Sequence, residues 1–172
     1  SREGTLKEVL VGLNTSSDEY LLLTKVGNGY SEEERKKMLK NLEKKKVSSD
    51  YIEVSGSNVG FTMVEPNQVI EFSCLDIFTE NSKGIISKAC LSYKKGKYES
   101  NGKRPSASVI SPVFVKLRSD KKVGIEDSGI SQLTRMVSLE ESSKESIELM
   151  ESKVISRAVS YTHLRAHETD RY

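Results

Sequence analysis

The 172 residues predict a mainly β protein, a small β-barrel with one inserted α-helix and a C-terminal helical extension. Short β-rich runs separated by turn residues recur as far as Val123, a spacing typical of small barrels and sandwiches. One helical segment with a strong start signal follows the second run. After Val123 the apolar runs end, and a segment rich in Glu, Ser and Lys begins.

The length and composition indicate a single core, and the overall charge gives no argument for nucleic-acid binding. The 27 basic residues nearly cancel the 25 acidic ones and leave a net charge of +2, so any basic function must come from local clustering. Cys74 and Cys90 lack metal-ligand spacing and lie in apolar runs, which predicts two reduced core cysteines. No apolar run approaches the roughly 20 residues of a membrane span. We therefore expect an intracellular protein without a membrane partner.

The first two β-rich runs predict a hairpin. Residues 6–13 read LKEVLVGL and residues 20–26 read YLLLTKV, and the connecting NTSSDE is rich in residues that favour turns. Directly after the second run, Gly27 and Gly29 flank Asn28, and both glycines tolerate positive φ and close backbone approach. The pattern is a short glycine turn and does not match a nucleotide-binding loop.

A helix is predicted at 31–46. Ser31 and Glu34 form a capping box, in which each side chain satisfies a backbone N–H group of the other residue. Acidic residues near the start and lysines near the end complement the helix dipole. A narrow apolar stripe comprises Met38, Leu39 and Leu42.

Further strands are predicted at 68–79, at 88–93, around Tyr98 and from 106 into the segment 111–122. Pro66 precedes the first of these, where its missing N–H group does least harm. One helix between barrel strands is a feature of oligonucleotide-binding (OB) barrels. The sequence therefore predicts an OB-fold over residues 1–126.

The segment 111–122 is the main candidate site. It reads SPVFVKLRSDKK, an apolar strand followed by cations at Lys116, Arg118, Lys121 and Lys122 with one acid, Asp120. Arginine offers a planar fork of donors and lysine a point charge, so this strand end suits phosphate recognition. On spacing alone, a solvated basic strand end is the commoner explanation.

Residues 127–159 are predicted to form a loop and a helical extension, with the helix at 138–157. Residues 160–172 are predicted to be a non-native tail, because SYTHLRAHET resembles a reading frame through sequencing-adapter DNA. His163 and His167, four residues apart, would share one face of a helix. We discount them as ligands and predict no metal site.

Three segments, in order, resemble the C-terminal OB-fold domain of ATP-dependent DNA ligases and together cover residues 6–123. LLLTKVGNGYSEEE resembles the family's strand followed by K-x-G-x-G-F/Y-S/T-D/E, and MVEPNQVIEFSCLDI resembles its P-x-x-V-x-E-V strand. The segment 111–122 resembles the last nucleotidyltransferase motif, whose core is F-x-R/K-x-R-x-D-K. That core is Phe114, Lys116, Arg118, Asp120 and Lys121.

The chain departs from the family pattern in three ways. Ile110 and Val113 occupy places where family members usually carry Arg, which indicates a divergent branch. The domain's first strand is expected before Ser1. The K-x-D-G motif of the adenylylated lysine occurs nowhere in the 172 residues, so we expect a fragment that lacks the nucleotidyltransferase domain and is inactive alone.

The resemblance implies roles in joining nicks during DNA replication, repair or recombination. Arg118, Lys121 and Asp120 would form the phosphate-orienting catalytic motif, in which Asp120 orients Arg118 or Lys121 or holds the turn. Lys25, Asn28 and Lys116 would contact DNA. ATP and Mg²⁺ would be bound mainly by the nucleotidyltransferase domain. The resemblance implies nicked double-stranded DNA and that domain as partners of a monomeric, cytoplasmic protein, bacterial or phage-like in origin.

Three alternatives remain. A stand-alone nucleic-acid-binding OB module would need exposed aromatic side chains for stacking, and the chain has only four Phe and seven Tyr. The same domain of an RNA ligase or capping enzyme shares the last motif but is less well matched by the glycine turn and capped helix. A β-barrel interaction module is favoured if the cations are scattered. A phosphate role predicts that Arg118 and Lys121 lie exposed on one face, rather than buried against the domain's own acids.

Overall fold

The computed structural model describes residues 4–135 and 158–168, the latter as backbone only. The strands are β1 (Leu6–Asn14), β2 (Glu19–Val26), β3 (Ser48–Ser49), β4 (Thr62–Met63), β5 (Val69–Ser73), β6 (Asp76–Phe78), β7 (Glu80–Asn81), β8 (Gly84–Ile85), β9 (Ser87–Lys94), β10 (Lys97–Pro105), β11 (Ser108–Ile110), β12 (Val113–Leu117) and β13 (Ala158–Glu168). The helices are α1 (Glu32–Glu43), α2 (Ile125–Ser128) and α3 (Ser131–Thr134).

Most strands belong to one curled sheet with the order β12-β5-β13-β1-β2-β9-β10-β3, and β4 also pairs with β13. Two short pairs, β11 with β6 and β7 with β8, lie outside this sheet. The curled sheet forms a strand-rich half-barrel with few helices, which confirms the predicted mainly β, OB-like fold class.

The predicted hairpin is confirmed, and the strands predicted at 88–93 and around Tyr98 form a second one. Strands β1 and β2 pair antiparallel, with Leu13 opposite Leu21. Strands β9 and β10 also pair antiparallel, and Lys95 and Gly96 make the turn between them with positive φ values of 52° and 72°. Gly96 adopts this conformation without steric cost, which explains why the sequence reads KKGK at this point.

Helix α1 begins as predicted. The Ser31 hydroxyl accepts a hydrogen bond from the Glu34 backbone N–H at 3.1 Å, and the Glu34 carboxylate accepts one from the Ser31 N–H at 2.8 Å. The helix is three residues shorter than the predicted 31–46 range at its C-terminal end. The Lys45 N–H turns back to the Leu42 carbonyl at 2.9 Å, which tightens the last turn and stops the helix.

The apolar core has two clusters on opposite sides of the β1–β2 pair. One side joins the stripe of α1 to alternate residues of β1, including Val9 and Val11, and to Phe72 of β5. The other side contains Leu10 together with Leu91 and Tyr98 of the β9–β10 hairpin. Cys74 and Cys90 are buried free thiols, as predicted. Strand β1 is therefore buried on both faces, which explains its nearly continuous apolar sequence.

The strand predicted at 68–79 is wrong as a single element. It is divided after Ser73 into β5, which pairs with β12, and β6, which pairs with β11. At the break, Leu75 is exposed and its N–H donates to the Ile110 carbonyl at 2.9 Å. The apolar pattern continues without interruption through this bend, so the sequence does not predict it. The bend arises because the two halves pair with different strands.

Residues 127–133, expected to be loop-like, contain parts of the short helices α2 and α3. Leu133 is buried in the core cluster of α1, and the Ile130 N–H donates to the Asn14 carbonyl at 2.8 Å. Helices α2 and α3 and their packing against the core therefore extend beyond residue 126, the predicted end of the domain.

The predicted helix at 138–157 lies outside the described residues. The backbone of β13, from Ala158 to Glu168, lies between β1 and β5 and pairs antiparallel with both. The non-native origin of residues 160–172 stays a prediction. In the described part of the chain, no helix has the length and apolar character needed to cross a membrane.

Candidate phosphate site at the end of strand β12

The glycine turn after β2 contacts the start of β12 directly. The Phe114 N–H donates to the Asn28 carbonyl at 2.7 Å, and Asn28 forms a β-bridge with Val113. Gly29 has a φ of 98°, and a Cβ atom there would lie 2.4 Å from the Phe114 carbonyl oxygen. Only glycine fits both constraints. Two of the three family-like segments are therefore in contact.

Aromatic packing reinforces this contact. The rings of Tyr30 and Phe114 are stacked with centroids 4.3 Å apart, and the Tyr30 hydroxyl donates to the Val26 carbonyl at 2.9 Å. The guanidinium of Arg35, on α1, lies 5.0 Å from the Tyr30 ring centroid and donates to the Gly27 carbonyl at 2.6 Å. Helix α1 thus fixes the glycine turn on which β12 rests.

The third segment positions the end of β12. Strand β12 pairs antiparallel with β5, and an irregularity in the pairing falls between Phe114 and Lys116. Beyond the strand, the Arg118 N–H donates to the Val69 carbonyl at 2.8 Å. Lys116 is opposite Glu71 in the register. This pairing brings Glu71, the acid of the P-x-x-V-x-E-V segment, to the R-x-D-K ending.

Two carboxylates hold the Arg118 guanidinium. Its Nε and Nη2 groups donate to the two oxygens of Asp120 at 2.9 and 2.7 Å, and its Nη1 donates to Glu71 Oε1 at 2.6 Å. The paired bonds to Asp120 use the planar fork that suits any two-oxygen anion. Asp120 thus contacts Arg118, one of the two partners we expected for it.

The two carboxylates differ in exposure. The Asp120 side chain is 63% exposed, whereas those of Glu71 and Arg118 are 16% and 19% exposed. Hydrogen bonds from Arg118 hold the pKa of Asp120 well below its ordinary value. Hydrogen bonds to Asp120 and then to Glu71 raise the pKa of Arg118 above its ordinary value. Glu71 is therefore a covered anchor and Asp120 an accessible partner.

The expectation that Arg118 is an exposed cation is not met. The pairing of β12 with β5 places its side chain beside Glu71, a neighbour that the local sequence around Arg118 does not contain. Lys121 is more open, with 35% of its side chain exposed and its Nζ 3.7 Å from the Asp127 carboxylate. The positive charge of this strand end is thus partly compensated within the domain, and the pairing of Arg118 with the domain's own acids counts against a phosphate role for Arg118 in this arrangement.

The three predicted DNA contacts have different environments. Asn28 and Lys116 are exposed, and Lys116 has no ion-paired partner among the described residues. Lys25 instead donates to the Val54 carbonyl at 2.8 Å and lies 3.1 Å from the Glu53 carboxylate. Its ammonium lines a cavity beside β2.

The roles of Glu71 and Asp127 were not predicted from the sequence. Glu71 is the acidic position of a segment that resembles the family, which was the available signal. Asp127 accepts a hydrogen bond from the Lys122 N–H at 2.9 Å and shapes the turn after β12. No sequence pattern links Asp127 to that turn. Within the described ranges, no three His, Cys, Asp or Glu side chains are grouped as metal ligands.

A comparison with protein-family models matches residues 2–121 to the family described as ATP dependent DNA ligase C terminal region. The matched range covers more than half of the chain and includes the glycine turn, β5 and the Arg118 site. Comparisons with curated proteins and with solved structures gave no match.

Proposed function

Because the chain belongs to the ATP-dependent DNA ligase C-terminal region family, we propose that it is the OB-fold domain of such a ligase and works in two positions. In one position it closes on the nucleotidyltransferase domain during lysine adenylylation. In the other it binds nicked duplex DNA while the phosphodiester bond forms. The observation that carries the proposal is that the three family-like segments meet along β12, where the glycine turn contacts Phe114 and β5 contacts Arg118.

In the closed position, Arg118 and Lys121 contact the phosphates of ATP. Attack on the α-phosphate requires an oriented leaving group and positive charge near its oxygens. The fixed anchoring of Arg118 by Glu71 supports this role, since it aims the guanidinium before the phosphate arrives. Asp120 does not itself contact phosphate and holds the Arg118 guanidinium only until phosphate arrives.

Phosphate reaches Arg118 by replacing Asp120. The two oxygens of Asp120 occupy the Nε and Nη2 groups in the geometry that two phosphate oxygens would use. Asp120 is largely exposed, so it can turn into solvent, whereas the covered Glu71 stays in place. The exchange keeps Arg118 paired with an anion throughout.

In the open position, the domain contacts the DNA backbone. Asn28 lies exposed in the glycine turn, where it forms a bridge with Val113, and Lys116 lies exposed further along β12. Lys25 supplies a further cation. Binding through phosphates carries little sequence information, which suits an enzyme that joins nicks of any sequence.

The Arg118 site fits phosphates, because the Arg118 guanidinium and the Lys121 ammonium are cationic hydrogen-bond donors. The adjacent acids Asp120 and Asp127 are each ion-paired with one of these cations. ATP, when bound, supplies the adenylyl group and the pyrophosphate leaving group. We assign Mg²⁺ mainly to the nucleotidyltransferase domain.

The test supplies a nucleotidyltransferase domain of an ATP-dependent DNA ligase as a separate chain, with α-labelled ATP. Adding residues 1–172 should accelerate labelling of its lysine, and Arg118→Ala should reduce that acceleration by about 10²-fold. Lys97→Met, an exposed change at the β9–β10 turn, is the matched control. The chain alone should take no label. Equal acceleration by the Arg118→Ala variant, or a covalent AMP adduct on the chain itself, would refute the proposal.

A further inference from the structure

A second group of cations lies where β2 and β9 separate. The two strands pair from Glu19 opposite Ser92 to Leu21 opposite Cys90, and the pairing stops there. Both strands continue, β2 to Val26 and β9 back to Ser87. A cavity of about 440 Å³ lies at this separation.

Side chains satisfy the backbone groups that the separation leaves unpaired. The Leu22 carbonyl accepts a hydrogen bond from the Ser106 hydroxyl at 2.8 Å, and the Leu23 carbonyl accepts one from the Lys88 ammonium. The partly buried Lys88 amine is therefore held at the cavity by the strand that lines it. The separation of the two strands is therefore stabilised by side-chain hydrogen bonds to the backbone.

Three lysines from three strands line the cavity, with one acid. Lys25 comes from β2, Lys88 from β9 and Lys103 from β10, and Glu53 comes from the loop between β3 and β4. Glu53 is already paired with Lys25 at 3.1 Å. Lys103 is exposed and has no ion-paired partner among the described residues. The lining thus carries more positive than negative charge.

The rest of the lining is mixed: Leu22, Ala89 and Pro112 are apolar, whereas Thr24, Tyr51 and Ser87 carry hydroxyl groups. A phosphodiester presents an anionic group beside the carbon and oxygen atoms of a sugar, and this combination matches cations beside a wall of mixed polarity. We infer that the cavity binds a backbone phosphate of the nucleic acid through Lys88 and Lys103. This inference rests on the proposed DNA-binding function and extends it to residues on β9 and β10.

The charge of Lys88 gives the site a pH dependence. Burial lowers the pKa of Lys88 from 10.5 to about 8, while the Glu53 carboxylate raises it and the Lys25 ammonium lowers it. Across the strand pair, Arg104 is opposite Lys88 but is bonded to Glu19 at 2.7 Å. Lys88 is mainly a cation at pH 7 and mainly a neutral amine at pH 9. Its phosphate contact is therefore strongest near pH 7 and weakens as the pH rises toward 9.

The test measures binding of the full 172-residue chain to nicked duplex DNA as salt is varied, at pH 7 and at pH 9. The slope of log K against log salt should shrink by about 0.9 in Lys88→Met and in Lys103→Met at pH 7, since each removes one phosphate contact. The native slope should shrink by a similar amount between pH 7 and pH 9. Lys88→Arg, which stays charged, should keep the full slope at both pH values.

Lys97→Met is the matched control, because Lys97 lies at the opposite end of the β9–β10 hairpin from Lys88 and Lys103. Native DNA binding with the same slope in Lys88→Met, Lys103→Met and Lys97→Met would overturn this inference and leave the ligase proposal standing. No native DNA binding at low salt would instead overturn the proposed open position and this site with it. Thermal unfolding of each variant checks that a changed slope does not come from a misfolded chain.

Discussion

The Arg118 site and the β2–β9 cavity both offer cations to phosphate, but their charges are balanced differently. Arg118 is already bound by Asp120 and Glu71 through three hydrogen bonds. The cavity has three lysines and a single carboxylate, Glu53. Under the two proposals, phosphate displaces an internal carboxylate at the first site and adds to an excess of positive charge at the second.

This difference suits the two proposed tasks. A cation that is already paired with carboxylates binds phosphate only when the phosphate is held in the right place by another domain. The ion-paired Arg118 therefore suits a domain that closes on its nucleotidyltransferase partner. A site with excess cations binds any backbone phosphate and responds to salt and pH. A count of basic residues alone would not reveal this difference.

Disrupting the support of β12 should have the largest effect. Gly29→Ala places a Cβ 2.4 Å from the Phe114 carbonyl oxygen at a φ of 98°. We expect a loss of roughly 3 kcal/mol or more in the free energy of unfolding, from backbone strain plus displaced packing. Urea unfolding measures it.

Gly56→Ala is the matched control for this change, because a Cβ there meets no atom within 4 Å. It should leave the stability within about 0.5 kcal/mol of native. If the two alanine variants unfold at the same urea concentration, the glycine turn does not support β12 as described.

Changing the two acids separately should distinguish anchor from exchangeable partner. Glu71→Gln removes the covered charge that aims Arg118, so it should reduce the acceleration of adenylylation by between about 10-fold and 100-fold. Asp120→Asn removes the accessible competitor and should cost less. The same trans assay measures both variants, and a larger loss for Asp120→Asn than for Glu71→Gln would reverse the assignment.

Loss of the helix cap should have the smallest effect. Ser31→Ala removes the hydroxyl that accepts from the Glu34 N–H, which should cost about 1 kcal/mol of stability. The Arg118 site and the cavity should keep their phosphate responses, because α1 stays packed through Met38, Leu39 and Leu42. Thermal unfolding compares the variant with native protein, and a loss above about 3 kcal/mol would indicate that the cap does more than start the helix.

The elements with strong local signals could be predicted from the sequence. The β1–β2 hairpin and the Ser31 cap follow from turn residues and a capping box, which act over a few positions. The break between β5 and β6 could not be predicted, because it depends on separate partner strands far along the chain.

The same limit applies to the site. Asp120 was expected from adjacent sequence to orient Arg118 or Lys121 or to hold the turn, but the covered anchor Glu71 is 47 residues away from Arg118. The cavity lysines come from three strands and share no motif. Their proximity follows from where β2 and β9 stop pairing, a property of the folded sheet.

The most direct test of the exchange at Arg118 follows the Asp120 carboxyl by NMR as pH is lowered. While bound to Arg118, this carboxyl should titrate well below its ordinary pKa of 3.8, and Arg118→Ala should raise its pKa toward that value. With the nucleotidyltransferase domain and a non-hydrolysable ATP analogue present near neutral pH, the Asp120 carboxyl and Arg118 Nε signals should both move, as Asp120 is released and phosphate replaces it. Accelerated adenylylation with both signals unmoved would contradict the exchange.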